Sequence, residues 1–368
     1  MKKSLFRRDG MAGKYLQLAV LFTGLLGYLS GPTFGTAQAA SLDMPPPTKD
    51  ADALAVAYDC LASLARYSRG SKALLGRAKA DGDELLSMAT VDGNKRTGWP
   101  YIQRTTEESK KCGQAGALDA FGDGTCNPPE TPYMLQTGYA VACLAQLNIA
   151  TGDVRYLQVA RKALSDSWSL GSAVTGCQDC FYYWYSYHAN DLNRFVRNPN
   201  VAMGLGLAWM FAATGEAIYR ERALAIAKAE HHEIQAGNAG YFGIDDPKYK
   251  ANPKFEAQRI ENHVPHQVKG LKDISKLTGN AQALGDAKSE MDSFLYCRND
   301  RCRPGNCKAW AAPPSCQATA TIAPCILADQ GDPYQSLCEV VLKELPRLNA
   351  FQIFLLDSAS GKEGLITR

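Results

Sequence analysis

The chain lacks the short signatures by which many enzymes can be read. No G-x-S-x-G elbow, phosphate-binding glycine loop, H-E-x-x-H pair or dinucleotide-binding glycine pattern stands in a suitable context. Nothing therefore points to a nucleotide, a dinucleotide or a zinc-peptidase centre, and no cofactor or metal is expected. Histidine is sparse, at 5 in 368 residues, and beyond Leu29 no apolar run is long enough to span a bilayer. Net charge is also missing. The 40 basic and 37 acidic residues reduce to 35 and 36 once the first 39 residues are set aside, so neither a nucleic acid nor an anionic membrane is an expected partner.

Those first residues carry Lys2, Lys3, Arg7, Arg8 and Lys14, then an apolar run from Tyr15 to Leu29 and Ala37-Gln38-Ala39. A charged start, an apolar centre and an A-x-A site predict a signal peptide over 1–39. One domain over 40–368, periplasmic or secreted and monomeric, is the expectation. Cysteine is plentiful, 12 in number, and an even count in an exported chain predicts disulfides. Cys177 and Cys180 are expected to close a local bridge. Cys297, Cys302, Cys307, Cys316 and Cys325 fall in one Pro-rich stretch, where stapling is preferred to a structural zinc site.

An internal repeat predicts the architecture. Pro132, Pro199, Pro265 and Pro333 recur at steps of 67, 66 and 68 residues, each opening a helix-like stretch. Proline suits the first helical position, where its missing N–H costs nothing. Thr131, Asn198 and Asp332 precede three of them as expected N-caps. Thr151-Gly152, Thr214-Gly215 and Thr278-Gly279 end the first helix of each unit, since glycine accepts the left-handed C′ conformation. First helices such as Val201 to Ala213 are apolar all round and so buried, whereas the second helices are amphipathic and so outer. With a further hairpin over 51–86, this predicts an all-α fold, an α/α toroid or incomplete toroid of helical hairpins. Long loops then emerge on one face, at the N-terminal ends of the inner helices.

Chemistry is expected on that face. Phe181 to Asn200, FYYWYSYHANDLNRFVRNPN, reads as an aromatic cleft wall, with Trp184 and Tyr185 on the wall and His188, Arg194, Arg197, Asn198 and Asn200 following. Trp99 and Tyr101 sit beside Arg96 and Arg104, Tyr241 precedes Asp245, and Glu130 and Tyr133 flank Pro132. Glu261, His263 and His266 surround Pro265, and the two histidines are three apart, on one side of a helix. Repeated A-T-G-[DE]-x-x-Y segments, Ala150 to Tyr156 and Ala213 to Tyr219, make the chain resemble the α/α-toroid, six-hairpin glycosidase-like carbohydrate-active enzymes. The resemblance implies a polysaccharide or oligosaccharide substrate. Uronate lyase or epimerase chemistry would use Tyr185, His188, Arg194, His263 and His266 for proton transfer and carboxylate neutralisation. The alternatives are a glycoside hydrolase, with two opposed carboxyl groups drawn from Glu130, Asp191, Asp245 and Glu261, and a non-catalytic glycan-binding or envelope-assembly protein.

Overall fold

Each predicted helix pair is an antiparallel hairpin in the computed structural model, which describes residues 52–100, 127, 130–238, 242–247, 250, 264–298, 323–344 and 350–356. The hairpins are α1 (Ala53–Ser68) with α2 (Leu74–Met88), α3 (Met134–Thr151) with α4 (Val154–Ser167), α5 (Arg197–Thr214) with α6 (Ala217–Gln235), and α7 (Val264–Thr278) with α8 (Ala281–Arg298). Three short helices follow: α9 (Ala323–Ile326), α10 (Tyr334–Glu344) and α11 (Ala350–Leu356). All belong to one compact unit, Leu42–Arg368. The expected signal peptide, 1–39, lies outside the described residues. Among the described residues no helix is long and apolar enough to cross a membrane.

The expected Thr-Gly stops are present. Gly152, Gly215 and Gly279 take φ of 73°, 74° and 76°, a region open to glycine at little cost. The proline punctuation works differently from expectation. Pro199 lies within the first turn of α5, whose N-cap is Val196, so Asn198 is a helical residue and not the cap. At the last repeat Asp332 does accept from the Ser336 backbone N–H at 3.2 Å.

The ring closes, although only four full hairpins can be read in the sequence. Inner helices pack in the order α1, α3, α5, α7, then α9 and α11, and α11 returns to α1. The closing members are too short to carry a visible apolar period. Cys60 and Cys143 join α1 to α3, and Cys325 and Cys338 join α9 to α10. The expected Cys177–Cys180 bridge is present, between the strands of the hairpin β3 (Gly171–Ala173) and β4 (Phe181–Tyr183). A second small hairpin pairs β1 (Thr90–Val91) with β2 (Thr97–Gly98).

Neighbouring inner helices touch backbone to backbone. A Cβ on Gly138 would stand 2.3 Å from the Ala202 carbonyl carbon, and one on Gly270 would stand 2.1 Å from Val201 Cγ1. Both distances lie far inside van der Waals contact. These contacts also fix register: Gly138 is level with Ala202, and Gly270 with Val201. Because Ala202 and Gly206 meet α3 while Val201 meets α7, the face of α5 between them, with Asn198, Leu205 and Trp209, turns to the ring axis. Gly204, on the opposite side, meets Ile226 of α6.

Gly138→Ala should therefore cost at least about 1–3 kcal/mol, because backbone must move to admit the methyl group. Thermal melting checks this, and an unchanged midpoint would refute the close approach.

Candidate functional site

The aromatic run is not a cleft wall. Tyr182, Tyr183, Tyr185 and Tyr187 are all buried, and Phe181–Tyr183 is a strand packed on the core. Of this stretch, only Phe181, Trp184 and His188 to Ala189 keep intermediate or greater exposure before Asp191, at positions whose burial is described. Two of the buried hydroxyls have partners. Tyr182 donates to Glu230 at 2.6 Å and Tyr187 to the Ala163 carbonyl at 3.2 Å. The backbone of Tyr183 pairs on both sides with the Asn200 amide, at 2.6 and 3.0 Å.

Asn200 is thus a fixture for the strand, fully buried, and not a substrate ligand. Arg197 is likewise corrected. Its guanidinium is completely buried, bonds Glu230 at 2.8 Å, Glu290, and the Asn238 carbonyl at 2.8 Å, and joins α5 to both α6 and α8. Burial pushes the Glu230 carboxyl up to about 7 despite that cation. Trp99 is also buried, with its indole donating to the Leu85 carbonyl at 2.8 Å, so it is core and not a sugar platform. Glu130 is exposed and contributes its backbone carbonyl to Thr90. Asp245 accepts from the Thr175 N–H at 2.6 Å and pairs with Lys250 at 3.2 Å, an arrangement that holds its carboxyl below the usual range. Tyr101, Tyr241, Glu261 and His263 lie outside the described residues.

The remaining predicted residues gather at the N-terminal ends of the inner helices. The Tyr185 carbonyl accepts from Met134 N–H at 3.2 Å, and Tyr187 N–H donates to the Pro132 carbonyl at 3.0 Å, which hangs the loop on the start of α3. Tyr133 and Tyr185 meet edge to face at 5.3 Å and form one apolar cluster with Val196 and Phe242. Arg194 lies 5.0 Å over the Phe242 ring, between Asp246 at 3.4 Å and Asp191 at 3.9 Å. Asp191 also accepts from Asn127 at 2.7 Å and from Ser186, whose hydroxyl receives the His188 N–H at 3.1 Å. Arg194 thus faces two buried carboxylates.

Register places the other side of the site. Asn198 is one turn before Ala202 and Met134 one turn before Gly138, so they are level; Gln267 lies three before Gly270 as Asn198 lies three before Val201. Tyr133, Asn198 and His266 therefore stand at one storey of the ring. Asn198 is buried, turned to the axis, and among the described residues its Oδ1 has no hydrogen-bond partner.

His266 is the centre of this storey. Its Nδ1 lies 2.7 Å from the Tyr139 hydroxyl and 3.5 Å from that of Tyr58, which brings α7, α3 and α1 to one point. Phe354 of α11 covers the pair, 5.9 Å from the Tyr58 ring and 5.7 Å from that of Tyr139. Lys269 points its ammonium at Phe354, 4.7 Å away, and is paired with Asp273, whose other oxygen Oδ1 is buried without a partner among the described residues. Burial lowers His266 from 6.5 to about 3 and holds Tyr139 protonated, with Asp273 adding to the latter effect. Tyr58, Tyr139, Lys269 and Asp273 were not among the expected residues. Their signal is faint: a few polar groups inside otherwise apolar inner helices, each costly to bury without a purpose.

A closed ring of inner helices wrapped by outer ones, with polar groups converging at one end of its axis, is the α/α toroid. No family model matches the chain, and no curated relative matches it. Solved structures do match. Cellobiose 2-epimerase from Bacillus thermoamylovorans B4167 is similar at TM-score 0.53 and 10% identity, over 79% of this chain and 75% of that one. A GH76 α-mannanase from Bacteroides thetaiotaomicron gives 0.53 and 10% over 83% and 84%, and a D-mannose isomerase 0.53 and 15% over 80% and 75%. At these identities the likeness is one of fold, and all three share the six-hairpin toroid.

The low pKa of His266 has a measurable sign. Between about 3 and 6.5 the unfolded chain binds the extra proton, so this residue makes stability fall as pH falls through that window. From about pH 6.5 to about pH 4.5, His266→Gln should lose about 2 kcal/mol less stability than the parent chain in denaturant titrations. Parallel losses in the two proteins would contradict a buried neutral imidazole.

Proposed function

We propose that this chain is a carbohydrate-processing enzyme, and that its reaction moves a proton at a sugar carbon beside a carbonyl or carboxylate, as an epimerase, isomerase or lyase does. The observation that carries the reading is the neutral His266 held against Tyr139 on the ring axis, at 2.7 Å. An imidazole and phenol in a water-poor site are groups for proton chemistry. The toroid similarity to a sugar epimerase, a mannanase and a sugar isomerase supports a sugar as substrate.

Hydrolysis is less well supported, because it needs two available carboxyl groups facing each other. Asp191, Asp245 and Asp246 are each engaged by cations, a side-chain amide or backbone N–H groups. The uronate form of the idea also loses support, since Arg194 and Arg197 are both matched by buried carboxylates. His188, partly exposed two residues beyond the Ser186 bridge to Tyr133, is assigned as the group that takes the proton. The disulfides favour an oxidising compartment, periplasmic or outside the cell.

The test is incubation of the purified protein with neutral and uronate-containing mono- and oligosaccharides in deuterium oxide, read by NMR and ultraviolet absorbance. Deuterium at a carbon next to the carbonyl means epimerase or isomerase, and an unsaturated product means lyase. New reducing ends without either would overturn the reading in favour of a hydrolase. Binding with no product would favour a glycan-binding protein. His266→Ala and His188→Ala should each lower turnover about 10²–10⁴-fold with the helical circular dichroism retained.

A further inference from the structure

We infer that His266 acts as a hydrogen-bond donor of fixed direction, locked by Tyr139 as the neutral tautomer with its proton on Nε2, and not as the base of the reaction. The inference rests on the reading of the ring axis as the active site, but its physical core does not depend on the substrate.

Consider the two ways of filling the 2.7 Å contact between Tyr139 and His266 Nδ1. If Nδ1–H donated to the phenol oxygen, the hydroxyl hydrogen would need another acceptor. Tyr139 is 1% exposed, so water does not serve it, and among the described residues its hydroxyl has no second acceptor. A buried donor left unmade costs about 1–3 kcal/mol. If Tyr139 donates to Nδ1, both groups are satisfied. A phenolate would relieve the first arrangement, yet burial and the Asp273 carboxylate both oppose that charge. The second hydroxyl, of Tyr58 at 3.5 Å, also faces Nδ1 and is able to donate to it as well.

The remaining proton is then on Nε2. Among the described residues, Lys269 and Asp273 of α7 are paired to each other, while α1, α3 and α11 contribute Tyr58, Tyr139 and Phe354 to this cluster. Burial opposes the charged form of the His266 ring. A neutral imidazole so held can donate a hydrogen bond to a sugar carbonyl oxygen and strengthen it as negative charge develops there, without giving up the proton. Tyr139, and Asp273 behind it, are positioning residues in this account.

Histidine is rare enough here to read the tautomer directly, since the chain has 5. The full chain labelled with nitrogen-15 at histidine is observed by long-range proton–nitrogen correlation, with His266 assigned from the signal lost in His266→Gln. The expected pattern is Nε2–H, unchanged from about pH 5 to about pH 8, while an ordinary histidine titrates near 6.5. Tyr139→Phe, checked for folding by circular dichroism, should shift the pattern towards the other tautomer or a mixture. An Nδ1–H pattern in the parent chain, or titration of His266 near neutral pH, overturns the inference. Both signals are read without sugar, so absence of turnover would count against the proposed function alone.

Discussion

Everything in this molecule depends on how closely its inner helices approach. Gly138 presses on the backbone of Ala202, Gly206 on the carbonyl of Gly138, and Gly270 on Val201. Small residues at these crossings let helix axes come together where ordinary side chains would hold them apart. The closeness contracts the ring until its axis is narrow enough for a tyrosine on α3 to reach a histidine on α7. It also locks one helix against the next in height, which is why residues distant in sequence share a storey.

The architecture was legible because its punctuation is local. A proline near the first turn and a Thr-Gly stop act through the backbone of a few residues, so their meaning survives without tertiary context. Ring closure was less legible, since α9 and α11 are held by what they touch more than by any pattern of their own. The site was harder still. Asn200, Arg197 and Trp99 are residue types that suit a glycan cleft, but each satisfies a buried partner, respectively a strand edge, two glutamates and a helix carbonyl. Sequence records the chemical capacity of such side chains and not the direction in which it is spent. His266, by contrast, stands where its place just after Pro265 puts it, in the first turn of an inner helix.

The long loop between the second and third hairpins shows how that spending works. Its buried polar groups carry the loop. Asp191 gathers Ser186 and Asn127, Asp246 takes the Phe195 N–H, and Arg194 bridges the two carboxylates above an aromatic ring. A long segment with little regular structure can be buried only if its backbone and charges are paired internally. The result is a firm rim around the axis, with the less polar centre left to a few groups from the helices themselves.

The return of α11 to α1 has a consequence for how the chain reaches this state. The link between α1 and α3 is covalent, through Cys60 and Cys143, whereas α1 and α11 meet without a bond among the described residues, although they are nearly the whole chain apart. Contacts between such distant segments form late, because the entropy of closing so large a loop must be met before they repay it. Until α11 has been synthesised and docked, Tyr58 lacks the ring that stacks on it, and the axis stands open along one side. The last of the described helices to be made is therefore the one that turns an arc of hairpins into a ring.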